Sequence, residues 1–327
     1  MNTSASFRPS SIGAALLLAA TLASAQPKDV PADCAVRVAS GPVGKVYELM
    51  FKDMRSVCGG VVSMCAVASS GGLQNLNALS SSQAELGMVQ VDTLRDMQGD
   101  SNIRDLQAVM PLHANLLHVI TLVEGSKVGT ATLLGVPMPA TGRTVQVRKF
   151  SELKGLDVAV VGSAQLMGQT LEKQLGYGMR FIVADNDDHA LKLLRSGQVQ
   201  AVFTLGGWPL PSVARHKHGS GLMLAEYDLE PRAPYLVVKR NYQDLDAFNR
   251  NFLAVPNLLV TRPFRPGGAA NQRVADLQAC LTQHLDELQE GHYQPTWKEI
   301  KNLSELHGVA PFAAAKPDRT ASARRRQ

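Results

Sequence analysis

Residues 61–92 read VVSMCAVASSGGLQNLNALSSSQAELGMVQVD. A short apolar run, Val61 to Ala68, meets the break Ser69-Ser70-Gly71-Gly72. Leucines then recur at helical spacing, at Leu73, Leu76 and Leu79, and a second apolar run from Leu86 to Val91 ends in Asp92. The pattern predicts strand, glycine turn, helix and strand, one βαβ unit with polar residues at the carboxyl ends of both strands. In open α/β sheets ligands sit at that edge. Gly71 and Gly72 let the backbone approach a ligand, and the free N–H groups opening the helix favour an anion. Any tight strand-to-helix turn uses Ser and Gly, so the weight rests on whether the pattern recurs.

It does recur. Upstream, Val36 to Ala39 reads as a strand leading into Ser40-Gly41-Pro42-Val43-Gly44-Lys45 and a helix carrying Val46, Leu49, Met50 and Met54. Right-handed crossovers put both turns on one sheet edge. After Asp92 a polar helix (Thr93 to Leu106) is expected, then Gln107 to Met110 and an apolar run from Leu116 to Val123. The segment 125–149, rich in Gly, Thr and Pro, breaks the rhythm and reads as an inserted loop or hairpin. The grammar then repeats. A strand, Asp157 to Val161, meets Gly162-Ser163-Ala164-Gln165 and a helix to Leu175; Arg180 to Ala184 is a strand and Asp187 to Arg195 a helix. Gln200 to Thr204 is a further strand ending in Leu205-Gly206-Gly207-Trp208-Pro209. Val255 to Thr261 reads as the last strand, and Val274 to Leu288 as an amphipathic helix.

Composition restricts the function classes. The chain has 327 residues, 45% hydrophobic and 19% charged, as in a soluble globular protein large enough for two domains. The net charge of +5 is partly peripheral: Arg8 lies near the start, and Arg319, Arg324, Arg325 and Arg326 crowd the end. Aromatic content is 5% and no basic stripe interleaves with aromatics, so nucleic-acid binding is not expected. Residues 1–25 have the layout of a secretory signal: Arg8, the apolar run Ile12 to Leu22, and Ala23-Ser24-Ala25 before Gln26. Cleavage after Ala25 would deliver a periplasmic protein. Residues 315–327 read as a disordered basic tail.

Four cysteines in an oxidising compartment permit disulfides. Cys34 precedes the first strand and Cys58 ends the first helix, points on one sheet edge of a βαβ unit, so Cys34–Cys58 is the expected pair, with Cys65 and Cys280 as buried thiols. No spacing resembles a metal site. The G-x-S-x-G, H-E-x-x-H, P-loop and G-x-G-x-x-G patterns are not found, so neither a catalytic residue nor a cofactor is expected.

The order of these motifs resembles the TAXI family of extracytoplasmic solute-binding proteins of TRAP transporters. The resemblance rests on Ser40 to Tyr47, Ser69 to Leu79, Glu85 to Asp92 with its Gln90-x-Asp92 ending, Leu153 to Ser163, and Gly197 to Pro209, and covers roughly residues 34–305. It implies a two-lobed periplasmic-binding-protein fold, type II-like. Each lobe would be a mostly parallel α/β sheet flanked by helices, with the ligand cleft between lobes. Lobe 1 is then 34–118 with 235–310, and lobe 2 is 119–234 including the insert 125–149. The chain crosses near Leu117–Leu122 and Ala233–Leu236. The resemblance implies a monomeric, non-enzymatic receptor for a small, carboxylate-containing solute or amino acid, delivered to a TRAP-type permease. The family's Gly-Gly-Thr-Gly-Gly-Thr first turn is Gly-Pro-Val-Gly-Lys here, and its Gly-Ser-Gly-Thr third turn is Gly-Ser-Ala-Gln; both changes remove hydroxyls. They motivate an alternative, an exported sensor or scaffold with a degenerate cleft.

Candidate ligand residues follow from the sheet-edge argument. In the first lobe they are Ser40, Gly41, Lys45, Ser70, Gly71, Gly72, Asn75, Gln90 and Asp92; in the second, Ser163, Gln165, Thr204, Gly206 and Trp208. Several carry two readings. Asn75 either contacts ligand or braces its helix. Asp92 either faces the cleft or caps the helix starting at Thr93. Lys45 either neutralises a carboxylate or is a solvated lysine. Trp208 either covers the ligand or packs on its lobe. The histidines, His113 and His118 among them, supply no convergent metal set and stay outside the site.

Overall fold

The computed structural model describes residues 34–128, 132–134, 136–137, 142–245 and 247–314. The expected signal, its cleavage site, the basic tail and part of the 125–149 insert lie outside the described residues.

The first βαβ grammar forms as read. β1 (Val36–Ala39) leads to α1 (Val46–Cys58), β2 (Met64–Val67), α2 (Gly72–Ser80) and β3 (Leu86–Gln90). α3 (Val91–Asp96) and α4 (Ser101–Arg104) replace the single helix expected from Thr93 to Leu106, because the run breaks around Gly99 and restarts at Asp100, whose side chain caps α4. β4 (Gln107–Leu122) then runs unbroken through 16 residues. Within the insert, β5 (Ser126–Val128), β6 (Thr132–Leu133), β7 (Val136–Pro137) and β8 (Arg143–Val145) form two small antiparallel pairs, β5 with β8 and β6 with β7.

The second round follows with β9 (Asp157–Val161), α5 (Ala164–Leu175), β10 (Arg180–Ala184), α6 (Asp187–Arg195), β11 (Ala201–Gly206), α7 (Pro211–Ala214) and β12 (Leu222–Leu224). β13 (Leu236–Tyr242) pairs antiparallel with β14 (Ala247–Thr261); α8 (Ala269–Gln283), α9 (Leu285–Glu290) and a 3-10 turn at Pro295–Glu299 follow.

One sheet carries the strand order β10-β9-β11-β4-β14-β3-β1-β2. From one end it reads second, first and third strand of a parallel set, then a long antiparallel strand; from the other end it reads the same. β4 and β14 lie side by side and are shared by both halves. The result is the two-lobed α/β layout of a periplasmic binding protein, with two strands crossing between the lobes.

The buried cores mark the lobe boundary. Leu258 and Val260 pack with α2 and α3 residues such as Leu76 and Leu94, and Leu259 with Met50 and Met54 of α1. Leu116, Leu117 and 235–255 residues such as Tyr235, Tyr242, Phe252 and Val255 pack in the other lobe's cores. The second crossing is therefore β14 near Val255–Pro256. The expected crossing at Ala233–Leu236 is not one: β13 extends the second lobe, and the boundaries at 118 and 235 move accordingly. Pro111 and Pro256 both lie where the β4–β14 register shifts, positions at which a missing N–H is tolerated.

The disulfides correct the sequence expectation. Cys34 bonds Cys65, with Cα atoms 5.8 Å apart, across the parallel pair β1–β2. Cys58 bonds Cys280, Cα atoms 6.0 Å apart, because the end of α1 packs against α8 rather than returning over the start of β1. Neither Cys65 nor Cys280 is a thiol. No helix among the described residues is long and apolar enough to cross a membrane.

Candidate site between the lobes

Where the strands cross, the side chains turn polar although they are enclosed. Asn257 on β14 stands opposite Gln90, the last residue of β3. Its Oδ1 accepts from Tyr47 Oη at 2.5 Å and Asn115 Nδ2 at 3.3 Å, and its Nδ2 donates to the His113 carbonyl at 2.8 Å. His113 Nε2 donates to Asn115 Oδ1 at 3.0 Å, a tautomer fixed by the Asn115 amide pointing its nitrogen at Asn257. Burial lowers the His113 pKa to about 4, so the ring is neutral at physiological pH, and burial raises that of Tyr47. Gln90 is 2% exposed, and its Nε2 is buried with no hydrogen-bond partner among the described residues. Buried donors are nearly always paired, so an orphan at a strand end needs an explanation.

The lobes touch on both sides of this cluster. Tyr235 Oη of the second lobe donates to Asp92 Oδ2 at 3.2 Å, and Thr170 Oγ1 on α5 donates to Asp96 Oδ2 at 3.0 Å. On the other side Arg240 on β13 pairs with Glu299 at 3.2 Å, and Gly207 packs so closely on His113 and Thr296 that an added Cβ would lie 3.3 and 3.2 Å from them. Desolvation raises the Asp92 pKa to about 6, against the opposing effect of bonds from the Thr93 N–H and Tyr235.

The structure sorts the expected residues. Gly72 comes against Gln90, with Oε1 3.6 Å from where a Cβ would stand. Gly41 has φ +74°, and a Cβ there would press on the Tyr47 ring at 3.3 Å, so the first turn favours glycine at this point. Ser40 is buried, its N–H on the Val67 carbonyl. Two amides of the Ser69–Gly72 turn are already engaged: Ser70 N–H by Gln74 Oε1 at 2.7 Å and Gly71 N–H by Ser69 Oγ at 3.3 Å. Asn75 braces: fully buried, it accepts from Ser69 Oγ and donates to the Met88 carbonyl. Asp92 does not cap a helix from Thr93 to Leu106, since it is the second residue of the short α3 and Gln90 holds the cap position.

In the second lobe Ser163 is exposed at the start of α5 and Gln165 is half-buried. Thr204 lies mid-strand opposite His118, and Gly206 pairs with Leu116 at the crossing. Trp208 packs on its own lobe, donating from Nε1 to the Asn241 carbonyl at 3.2 Å beneath the Arg240 guanidinium. A cavity of about 390 Å³ beside it is lined by second-lobe residues.

Sequence reasoning missed Tyr47, His113, Asn115, Tyr235 and Asn257. Tyr47 was in view only as part of the first-turn motif. Asn115 and Asn257 carry no local signal, because only the pairing of two strands 142 residues apart makes them neighbours.

No family model matches the chain, and no curated protein does. Among solved structures it is similar to an amino-acid ABC transporter substrate-binding protein from Streptococcus pneumoniae bound to L-arginine, at 13% identity over 82% of this chain and 96% of that one, TM-score 0.46. An arginine transport periplasmic binding protein from Legionella pneumophila matches at 11% identity over 82% and 100%, TM-score 0.44. Tv2483 bound to L-arginine matches at 11% over 77% and 86%, TM-score 0.47. These scores lie below 0.5, and the fold rests on the strand order instead.

Proposed function

We propose that the chain is an exported solute-binding receptor whose lobes close on a small, carboxylate-bearing solute. The observation that carries this reading is Gln90 Nε2, an enclosed donor without a partner among the described residues, at the point where the strand ends meet the second lobe. A solute carboxylate or carbonyl would accept from it, beside the first turn of α2, whose N-terminal dipole favours an anion. The Gly72 N–H and the Ser70 hydroxyl from one lobe and Ser163 and Gln165 from the other would complete the contacts, the Ser40, Ser70 and Gly71 N–H groups being engaged within the first lobe. The crossing strands β4 and β14 would act as the hinge, and a closed form would be handed to a membrane permease of the TRAP type, the partner that the resemblance to the TAXI family implies. The test is a thermal-shift screen of the mature chain against carboxylates, amino acids and sugars. A ligand at a hundred times its Kd stabilises by about 2.7 kcal/mol. A rise with one solute class supports the reading; a flat screen contradicts it.

A second reading, an exported sensor or scaffold with an occluded cleft, is favoured by one observation. The protein's own side chains bridge the lobes, through Asp92–Tyr235, Asp96–Thr170 and Arg240–Glu299. A pull-down that recovers a sensor protein and no permease would favour it.

A further inference from the structure

The lobes meet along two seams of different character. On one side Arg240 of β13 sets a cation against Glu299 at 3.2 Å. On the other side the first lobe offers carboxyl groups and the second lobe hydroxyls. Tyr235 Oη donates to Asp92 Oδ2 at 3.2 Å, and Thr170 Oγ1 to Asp96 Oδ2 at 3.0 Å. Asp96 is exposed, whereas Asp92 is enclosed and Tyr235 above it is buried as well.

No cation balances Asp92 among the described residues. The titratable groups that act on it are Asp96, one turn on in α3, Tyr47 of α1 and Tyr235. Arg95 of the same helix donates instead to the His307 carbonyl at 3.1 Å, and Arg232, near Tyr235, to the Gln174 carbonyl at 2.8 Å. On α5, Glu172 accepts from the Gly178 and Met179 N–H groups, and Lys173 is exposed. The other elements against α3 are α2, β3 and β14, which pack on it through apolar side chains such as Leu76, Val89 and Leu258. The α2 and β3 segments contain no charged residue, and the one on β14, Arg250, donates to the Leu224 carbonyl in the second lobe.

A carboxylate shut into this seam loses water and gains no counter-charge, so the shut arrangement favours the neutral acid. Parting the lobes lifts Tyr235 away and returns water to Asp92. The two arrangements therefore bind the proton unequally, and by linkage pH acts on the lobes. We propose that Asp92 and Tyr235 form a proton-gated latch, shut when Asp92 is protonated and released when it ionises. The latch rests on the hinge of the receptor reading but needs no solute to work. Burial lifts the Asp92 pKa from 3.8 to about 6, which has the matching sign. The advantage of the shut arrangement is complete below about pH 4 and is lost as the pH rises through about 6. The equilibrium between shut and parted lobes shifts by roughly 100-fold across that window.

The test is small-angle X-ray scattering of the unliganded mature chain from about pH 4 to about pH 8, with circular dichroism confirming that the fold is kept. The radius of gyration should rise through the lower half of that range and then level. Asp92→Asn, neutral throughout, should stay compact, and Asp96→Asn should keep the wild-type rise. If Asp92→Asn fails to fold, Tyr235→Phe serves. Its lost hydroxyl favoured the carboxylate, so the rise should move to higher pH, whereas a merely structural tyrosine would loosen the seam at every pH. A constant radius in wild type, or a rise that persists in Asp92→Asn, overturns the latch. Neither result bears on the receptor reading, which the thermal-shift screen judges separately.

Discussion

Tyr235 reaches from the second lobe to Asp92 in the first turn of the first-lobe helix α3, its hydroxyl donating to Oδ2 at 3.2 Å. The carboxyl is 3% exposed and also takes the Thr93 N–H at 2.6 Å. This contact joins the lobes through a group whose charge changes within the ordinary pH range.

Burial raises the Asp92 pKa from 3.8 to about 6. The folded chain therefore holds this proton more tightly than the unfolded chain does. Stability from this group is complete below about pH 4 and is lost as the pH rises through about 6, a cost on the order of 3 kcal/mol at neutral pH. Asp92→Asn should flatten this part of the melting-temperature profile and melt a few degrees above wild type at about pH 8. Parallel profiles for the two proteins would show that Asp92 is ionised without penalty.

The hinge cluster predicts unequal costs from two substitutions. Asn257→Ala strands the Tyr47 hydroxyl, the Asn115 amide and the His113 carbonyl together, and should cost about 3 kcal/mol in urea unfolding. Tyr47→Phe leaves Asn257 Oδ1 with Asn115 and should cost about 1 kcal/mol. Equal costs would mean that the cluster is not a shared network.

Peptide mapping of the oxidised protein should recover Cys34 with Cys65 and Cys58 with Cys280. Replacing both Cys58 and Cys280 with Ser should cost roughly 3–5 kcal/mol, since that bond closes a loop with a sequence separation of 222. Recovery of a Cys34–Cys58 peptide would contradict the packing of α1 on α8.

Much of the fold was legible because each strand–turn–helix unit is local. β1, β2, β3, β9, β10 and β11 fall where alternation and Gly turns place them. The long strands were not legible for a physical reason. In β4, Pro111, His113 and Asn115 read as interruptions, yet β14 supplies the partners that make them strand residues, and both prolines fall at the register shift. The same non-local pairing hid the Asn257 cluster. The partner of Cys58 is not legible locally, because the packing of α1 on α8, not chain order, chooses it.

Asn75 and Gln90 separate bracing from contact. Asn75→Ala should destabilise the chain by about 1–3 kcal/mol, having lost the Met88 and Ser69 bonds, without weakening a bound solute. Gln90→Leu should weaken solute binding at little cost in stability, because among the described residues its Nε2 has no bond to lose and its Oε1 takes only a long bond from Thr93 Oγ1 at 3.4 Å.

The most direct measurement is a calorimetric titration of the mature chain and Gln90→Leu with the solute class that raises the melting temperature. A saturable isotherm for wild type, weakened roughly tenfold or more in Gln90→Leu, is the predicted result. Identical isotherms for the two proteins, or no heat with any solute, would contradict a receptor whose enclosed Gln90 amide holds its ligand.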